Sequence, residues 1–293
     1  MKNTTVRVID LINKFKASLA NIYSANEIRQ ILYLLFESYL DWAKPTVHLS
    51  YNQLLSETIA TRFEQAMLAL ISGEPIQYIM GVACFNGIKI KVDRRVLIPR
   101  METEELCALI QTDLTFRRSS DFSILDIGTG SGCIAINLKR NFPESVLTAI
   151  DISQDALNLA RENADSAKCD IIFLALNILS PFDQTTLGQF DLIVSNPPYI
   201  TESDKRFMNR NVTEFEPAIA LFVPDENPLI FYRTISGFAK RHLKSQGSLY
   251  FEINEQFGSQ IMKILFDLGF SQVELINDLN DKPRFIRAIS ECS

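Results

Sequence analysis

Asn196-Pro197-Pro198-Tyr199 is the stretch of this chain whose residue types most clearly suit chemistry. It follows the apolar run Phe190-Asp191-Leu192-Ile193-Val194-Ser195, which reads as a buried strand, so the tetrapeptide falls where a strand gives way to loop. The following proline pushes Asn196 toward extended geometry. Pro197 and Pro198 have fixed φ and no N–H. The result is a stiff turn rich in acceptors, namely the Asn196 side-chain oxygen and nearby main-chain carbonyls, with few competing donors. A planar –NH2 group, with two donors that need two acceptors, matches such a site. Taken alone, the same residues are an ordinary strand-ending Asn-Pro turn. A second motif tips the balance.

That motif is Ile124-Leu125-Asp126-Ile127-Gly128-Thr129-Gly130-Ser131-Gly132, an apolar run ending in alternating glycines before the helical pattern of residues 133–140. Strand, glycine turn and helix together let backbone approach a nucleotide-like ligand closely. The third glycine comes two positions after the second, whereas the dinucleotide fingerprint needs three. Asp126, just before the turn, would repel a pyrophosphate. It would suit a ligand with positive charge, such as the amino group and sulfonium of S-adenosylmethionine. Asp151 ends the next apolar strand and is placed to hydrogen-bond ribose hydroxyls. Glycine turn, Asp151 and Asn196 are thus expected at the carboxyl ends of three strands, where open parallel sheets bind ligands.

The elements that must position these residues follow from periodicity. From residue 100 onward, strand and helix patterns alternate, which implies an α/β doubly wound sheet with helices on both faces. Strands are expected near 122–128, 145–151, 170–176, 190–195 and 247–254. A helix over 258–268 then leads to strands over 272–277 and 284–290, whose short link calls for an antiparallel pair. Residues 7–73 read as helical, with Ser24-x-x-Glu27 a capping box and Ser50 the opening of a later helix that stops at Gly73. Leu32, Leu35, Phe36, Leu55, Phe63, Met67 and Leu70 most simply form a small bundle core. Between the two regions, residues 82–85 and 88–92 flank Asn86-Gly87 as a hairpin. The expected domains are therefore 1–81 (helical), 82–99 (hairpin linker) and 100–293 (sheet). The long connection 201–227 reads as a loop forming part of a substrate-facing wall.

Gly73-Glu74-Pro75-Ile76-Gln77-Tyr78, Ile98-Pro99-Arg100-Met101-Glu102-Thr103-Glu104, the glycine turn, Asn196-Pro197-Pro198-Tyr199 and Phe215-Glu216-Pro217 together resemble one family. It is the release factor glutamine methyltransferase (PrmC/HemK) family, within the class I methyltransferases. Met101 stands where that family usually has proline, and Asn177-Ile178 where it often has Asp-Trp near the adenine. The resemblance implies a class I methyltransferase sheet with an antiparallel last strand, preceded by a helical recognition domain. It implies S-adenosylmethionine as cofactor, S-adenosylhomocysteine as product, and no metal. The implied cofactor-binding residues are Asp126, Gly128, Thr129, Gly130, Ser131, Gly132, Asp151, Asn177, Ile178 and Asn196. Asn196 and Pro197 would be catalytic, with Pro198 and Tyr199 completing the substrate pocket. The implied substrate is the glutamine of the Gly-Gly-Gln loop in class 1 peptide chain release factors, in the cytoplasm.

The rest of the composition narrows the alternatives. The 293 residues, 47% hydrophobic and 22% charged, suit two globular domains. No apolar stretch reaches the ~18 residues of a membrane span, and residues 1–5 lack a secretion-signal core. Five scattered cysteines with no Cys-x-x-Cys argue against a disulfide framework or structural zinc. The only histidines, His48 and His242, stand beside no nucleophile and read as surface or capping residues. An amino methyltransferase acting on a nucleic-acid base would share the tetrapeptide. The net charge of −6 disfavours nucleic acid, since the compact basic runs are only Arg94-Arg95, Arg117-Arg118 and Lys240-Arg241-Lys244.

Overall fold

The computed structural model describes residues 6–114, 121–180 and 187–291. The Arg117-Arg118 run, residues 1–5 and Cys292 lie outside the described residues. The chain divides into two compact units, Met1–Gly81 with Arg210–Phe215, and Val82–Asn209 with Glu216–Ser293.

The first unit is helical: α1 (Val8–Leu19), α2 (Ala25–Leu40), α3 (Lys44–Leu49), α4 (Glu57–Ile71) and α5 (Ile76–Met80). The capping box at the start of α2 is formed, with the Ser24 N–H donating to the Glu27 carboxylate at 2.8 Å and the Glu27 N–H to Ser24 Oγ at 3.3 Å. Apolar stripes converge on Phe36 and Phe63, whose ring centroids lie 4.7 Å apart, and on Phe15. The later helix opens at Ser56, whose Oγ accepts the Ile59 N–H, and not at Ser50. Leu54–Leu55 is held extended by pairing with Val6–Arg7, so the helix starts only after it.

The second unit opens with a hairpin, Val82–Phe85 against Ile88–Lys91, turning through Asn86 and Gly87 with both φ positive. Its centre is a seven-stranded sheet. The strands are β1 (Ser123–Ile127), β2 (Val146–Asp151), β3 (Ile172–Ala175), β4 (Phe190–Ser195), β5 (Leu243–Glu252), β6 (Phe270–Asn277) and β7 (Pro283–Ser290), in the spatial order β6-β7-β5-β4-β1-β2-β3. Only β7 runs against its neighbours, as its short link to β6 requires.

Both faces of the central strands β1, β2 and β4 are buried, which is why these read as apolar runs without alternation. Leu125, Ile127, Ile193, Leu249 and Phe251 point to one face, where they join α10 (Ile230–His242) and α11 (Gly258–Asp267) in one core. Ile124, Asp126, Leu192, Val194, Tyr250 and Glu252 alternate onto the other. That face is met by α6 (Met101–Asp113), whose Asp113 accepts from the Tyr250 hydroxyl at 2.8 Å. Next to α6 pack α7 (Cys133–Asn141) and, beyond it, α8 (Gln154–Ala167).

Two expectations are corrected here. The 201–227 connection is not irregular: it holds 3-10 turns at Glu202–Phe207 and Ala218–Ala220, the helix α9 (Arg210–Phe215), and a short parallel pairing of Phe222–Val223 with Ile200–Thr201. His242 is buried rather than superficial, stacked on Phe238 with ring centroids 4.2 Å apart, and its Nδ1 bonds the Gly188 carbonyl oxygen.

Gly132 is the tightest of the turn glycines. Its φ is +81°, and a Cβ there would stand 3.2 Å from Ala160 Cβ where α7 meets α8. Gly132→Ala should therefore destabilise the chain by roughly 2 kcal/mol, combining a left-handed alanine with overpacking. Equilibrium urea unfolding checks this, and an unchanged midpoint would contradict it.

Candidate active site

The site is made by register. Ile127 of β1 is the direct partner of Ile150 in β2 and of Ser195 in β4. The next residue of each strand is therefore Gly128, Asp151 or Asn196, and these three stand side by side at the carboxyl edge of the sheet. They border a cavity of ≈ 260 Å³, lined also by Gly130, Asn177, Ile178, Pro197 and Pro198 among the expected residues.

The glycine turn uses its own donors internally. Gly128 and Thr129 N–H groups both donate to the Ile150 carbonyl, at 2.9 and 3.1 Å, and the Gly130 N–H donates to Asp151 Oδ2 at 2.9 Å. With these donors engaged and a carboxylate beside them, the turn is a poor nest for a pyrophosphate, in keeping with its glycine spacing. Gly128 and Gly130 have φ of 76° and 53°, and nothing stands within 4 Å of where a Cβ would be. They leave a smooth cradle at the cavity wall. Asp151 also accepts the Ser153 N–H at 2.9 Å, which fixes its carboxylate at the rim. Burial, the largest influence, raises the Asp151 pKa against the pull of these N–H donors.

Five expected residues do not reach the cavity lining: Asp126, Thr129, Ser131, Gly132 and Tyr199. Asp126 is fully buried because strand alternation points it to the α6 and α7 face, one residue before the rim. Its Oδ2 accepts the Thr129 hydroxyl at 2.7 Å. Burial pushes its pKa up to about 7, with the Thr129 hydrogen bond opposing and the Asp151 charge adding to the rise. It therefore braces the turn from beneath. Tyr199 does not wall the pocket either. Its ring packs into the α10 and α11 core, and its hydroxyl approaches Glu252 Oε1 at 3.4 Å.

The lining also includes Val96, Leu97, Ile152 and Leu179, which were not expected there, and Pro217 and Ala220 from the 201–227 connection read as a substrate-facing wall. Ile152 carries a readable signal, since it directly follows the rim acid. Pro217 is brought in by its neighbour Glu216, a buried carboxylate that accepts the Ile98 N–H at 3.1 Å and pairs with the Arg100 guanidinium. Residues 116 apart are thereby clamped beside the cavity. Asn177 spends both ends of its amide locally, on Ser180 Oγ and the Leu179 N–H. Asn196 donates from Nδ2 to Thr103 Oγ1 at 3.1 Å, which leaves its Oδ1 as the acceptor.

Comparison with known proteins gives the family. The family described as PrmC N-terminal domain matches residues 10–81, and the one described as Methyltransferase small domain matches residues 107–215. The release factor glutamine methyltransferase of Flavobacterium psychrophilum is 39% identical over 275 residues, covering 94% of this chain and 96% of that protein. The chain belongs to the release factor glutamine methyltransferase family. Its relative of that name from Bacteroides thetaiotaomicron is 38% identical, covering 93% of this chain and 96% of that one. A crystal structure of a methyltransferase from Pyrococcus furiosus shares the fold at a TM-score of 0.51 and 17% identity, covering 78% of this chain and 98% of the other. Among the described residues, no helix is long and apolar enough to cross a membrane.

The buried acid under the turn has a measurable consequence. Because the Asp126 pKa is raised in the folded chain to about 7, folding favours its protonated form. Its contribution to stability is present below the unfolded value near ~4 and is lost as pH rises through about 7. Asp126→Asn should therefore flatten the decline in thermal midpoint between about pH 5 and about pH 8. Parallel melting curves for the two proteins across that range would contradict the assignment.

Proposed function

We propose that this chain transfers a methyl group from S-adenosylmethionine to the side-chain amide nitrogen of the glutamine in the Gly-Gly-Gln loop of class 1 peptide chain release factors. Family membership over nearly the whole length supports the reaction class. One observation supports the site: an asparagine whose nitrogen is already engaged stands with its oxygen free, beside a cavity that also holds a rim carboxylate and a glycine cradle.

The residues present fit the cofactor. Gly128 and Gly130 leave room for close main-chain approach, and Asp151 offers acceptor lone pairs to the ribose hydroxyls. Ile178 and Asn177 would flank the adenine with aliphatic contact and a locally braced amide. Thr129, Ser131, Gly132 and Asp126 hold the turn in shape from behind. When bound, S-adenosylmethionine supplies a methyl carbon activated by its sulfonium.

An amide nitrogen is a weak nucleophile because its lone pair is delocalised into the carbonyl. Asn196 Oδ1 and the Pro197 carbonyl oxygen would each accept one hydrogen bond from the substrate –NH2, and Pro198 would stiffen the turn that presents them. Two fixed acceptors hold the nitrogen in one orientation. They also stabilise the positive charge that develops on its protons as it is alkylated. The surplus proton becomes acidic only then, so no strong base is needed. The helical unit, Met1–Gly81, is the assigned recognition element for a protein substrate of this size.

Incubation of a release factor with this chain and S-adenosylmethionine should add one methyl to the loop glutamine, read by mass spectrometry. Methyl transfer to duplex DNA but not to the release factor would favour base methylation instead. Asn196→Ala should lower kcat by at least roughly a hundredfold while leaving cofactor affinity nearly intact, and a near-normal rate would refute its role. Asp151→Ala should weaken S-adenosylmethionine binding by about tenfold or more in calorimetry, the equivalent of one lost charged hydrogen bond. Unchanged affinity would remove Asp151 from the ribose site.

A further inference from the structure

Asn196 can serve as an acceptor only if its amide is held one way round. An asparagine side chain offers an oxygen and an –NH2 of nearly equal size, and rotation of the amide plane by half a turn would present donors to the substrate. What decides the orientation lies behind Asn196, on α6 and β5.

Thr103 sits in the first turn of α6 and is 3% exposed, and Glu252 ends β5 with 1% exposure. The Thr103 hydroxyl donates to Glu252 Oε2 at 2.6 Å and accepts from Asn196 Nδ2 at 3.1 Å. An ionised carboxylate can only accept. Facing one, the single proton of Thr103 must point to Glu252, and only a lone pair remains for Asn196. The nitrogen end of Asn196 is then the end that faces Thr103. A protonated Glu252 imposes no such direction, since it can donate to Thr103 and release the threonine proton toward Asn196.

We propose that Glu252, acting through Thr103, is the positioning residue that sets the amide polarity of Asn196 and so keeps Oδ1 available to the substrate nitrogen. The inference rests on the function proposed above and gives Thr103 a task within Ile98-Pro99-Arg100-Met101-Glu102-Thr103-Glu104, the stretch whose Ile98 and Arg100 hold Glu216.

Glu252 is surrounded on all sides. Thr103, Glu102 and Cys107 face it from α6, Cys133 from α7, Tyr199 from the loop after β4, Tyr232 from α10 through the Glu252 carbonyl oxygen, and Arg284 from β7. Burial, the dominant influence, pushes the Glu252 pKa up to about 7, with Glu102 adding to the rise and Thr103, Arg284 and the Tyr199 hydroxyl opposing it. Asn196 orientation therefore becomes sensitive to pH near neutrality, and acid should disable the site without unfolding it.

The test measures methylation of a full-length release factor by the full chain, with steady-state kcat and KM, calorimetric S-adenosylmethionine affinity, and thermal midpoints. Thr103→Val keeps the shape and removes the hydroxyl. It should lower kcat by roughly a hundredfold with cofactor affinity unchanged, and Thr103→Ser should restore most of the rate. Wild-type kcat should fall on the acid side of neutrality with a single ionisation. Glu252→Gln cannot be protonated and can still accept from Thr103; it should turn over more slowly but without that acid limb. Wild-type kcat in Thr103→Val, or an acid limb that persists in Glu252→Gln, would overturn the positioning role. If Thr103→Val does not fold, the Glu252→Gln profile decides alone. A wild-type chain inert toward the release factor would overturn the proposed function and this inference together, which a normal wild type with indifferent variants would not.

Discussion

Three parallel strands ending in step is the constraint on which this site depends. Ile127 pairs laterally with Ile150 and Ser195, so a single hydrogen-bonded row determines where Gly128, Asp151 and Asn196 emerge. A slip of one residue in either pairing would turn one of these groups onto the opposite face. Such a slip is opposed by every buried side chain of β1, β2 and β4, because both faces of these strands are packed. The precision of the site is thus drawn from core packing, and loop chemistry is added only at the last residue of each strand.

Buried carboxylates do the bracing. An isolated charge moved out of water costs several kcal/mol, so such groups persist only where donors surround them or where they take up a proton. Glu216 has a main-chain N–H and a guanidinium. Glu252 has hydroxyls from Thr103 and Tyr199, and burial raises its pKa against them. Asp126 has the Thr129 hydroxyl and rises likewise. The charge states of Glu252 and Asp126 therefore respond near neutrality.

The fold itself says little about the acceptor. A methyltransferase at 17% identity reproduces the architecture, as expected when one scaffold serves many substrates. More particular to this chain are Asn196 and Pro197 at the cavity and the helical region, residues 10–81, that matches the family described as PrmC N-terminal domain.

The sequence by itself determined the sheet and the row of groups at its edge. Long apolar runs can only be buried strands, and glycines and prolines punctuate their ends whatever the surroundings. Hence the glycine turn, Asp151 and Asn196 were legible, as was the antiparallel β7 from the brevity of its link. Local misreadings came from competition that spacing does not record: Ser50 could cap a helix, but Leu54–Leu55 is taken by a pairing with Val6–Arg7. Alternation was also readable in principle and accounts for the burial of Asp126 away from the cavity lining, since a residue one short of the rim faces the helices. Tertiary structure alone decided the partners of Glu252 and Glu216. Thr103 and Glu252 are 149 residues apart, and each looks ordinary where it stands, one in a first helical turn and one at a strand end. Their meeting requires α6 to lie across β5, and helix-on-sheet packing is settled by shape complementarity over many side chains, which no local pattern encodes.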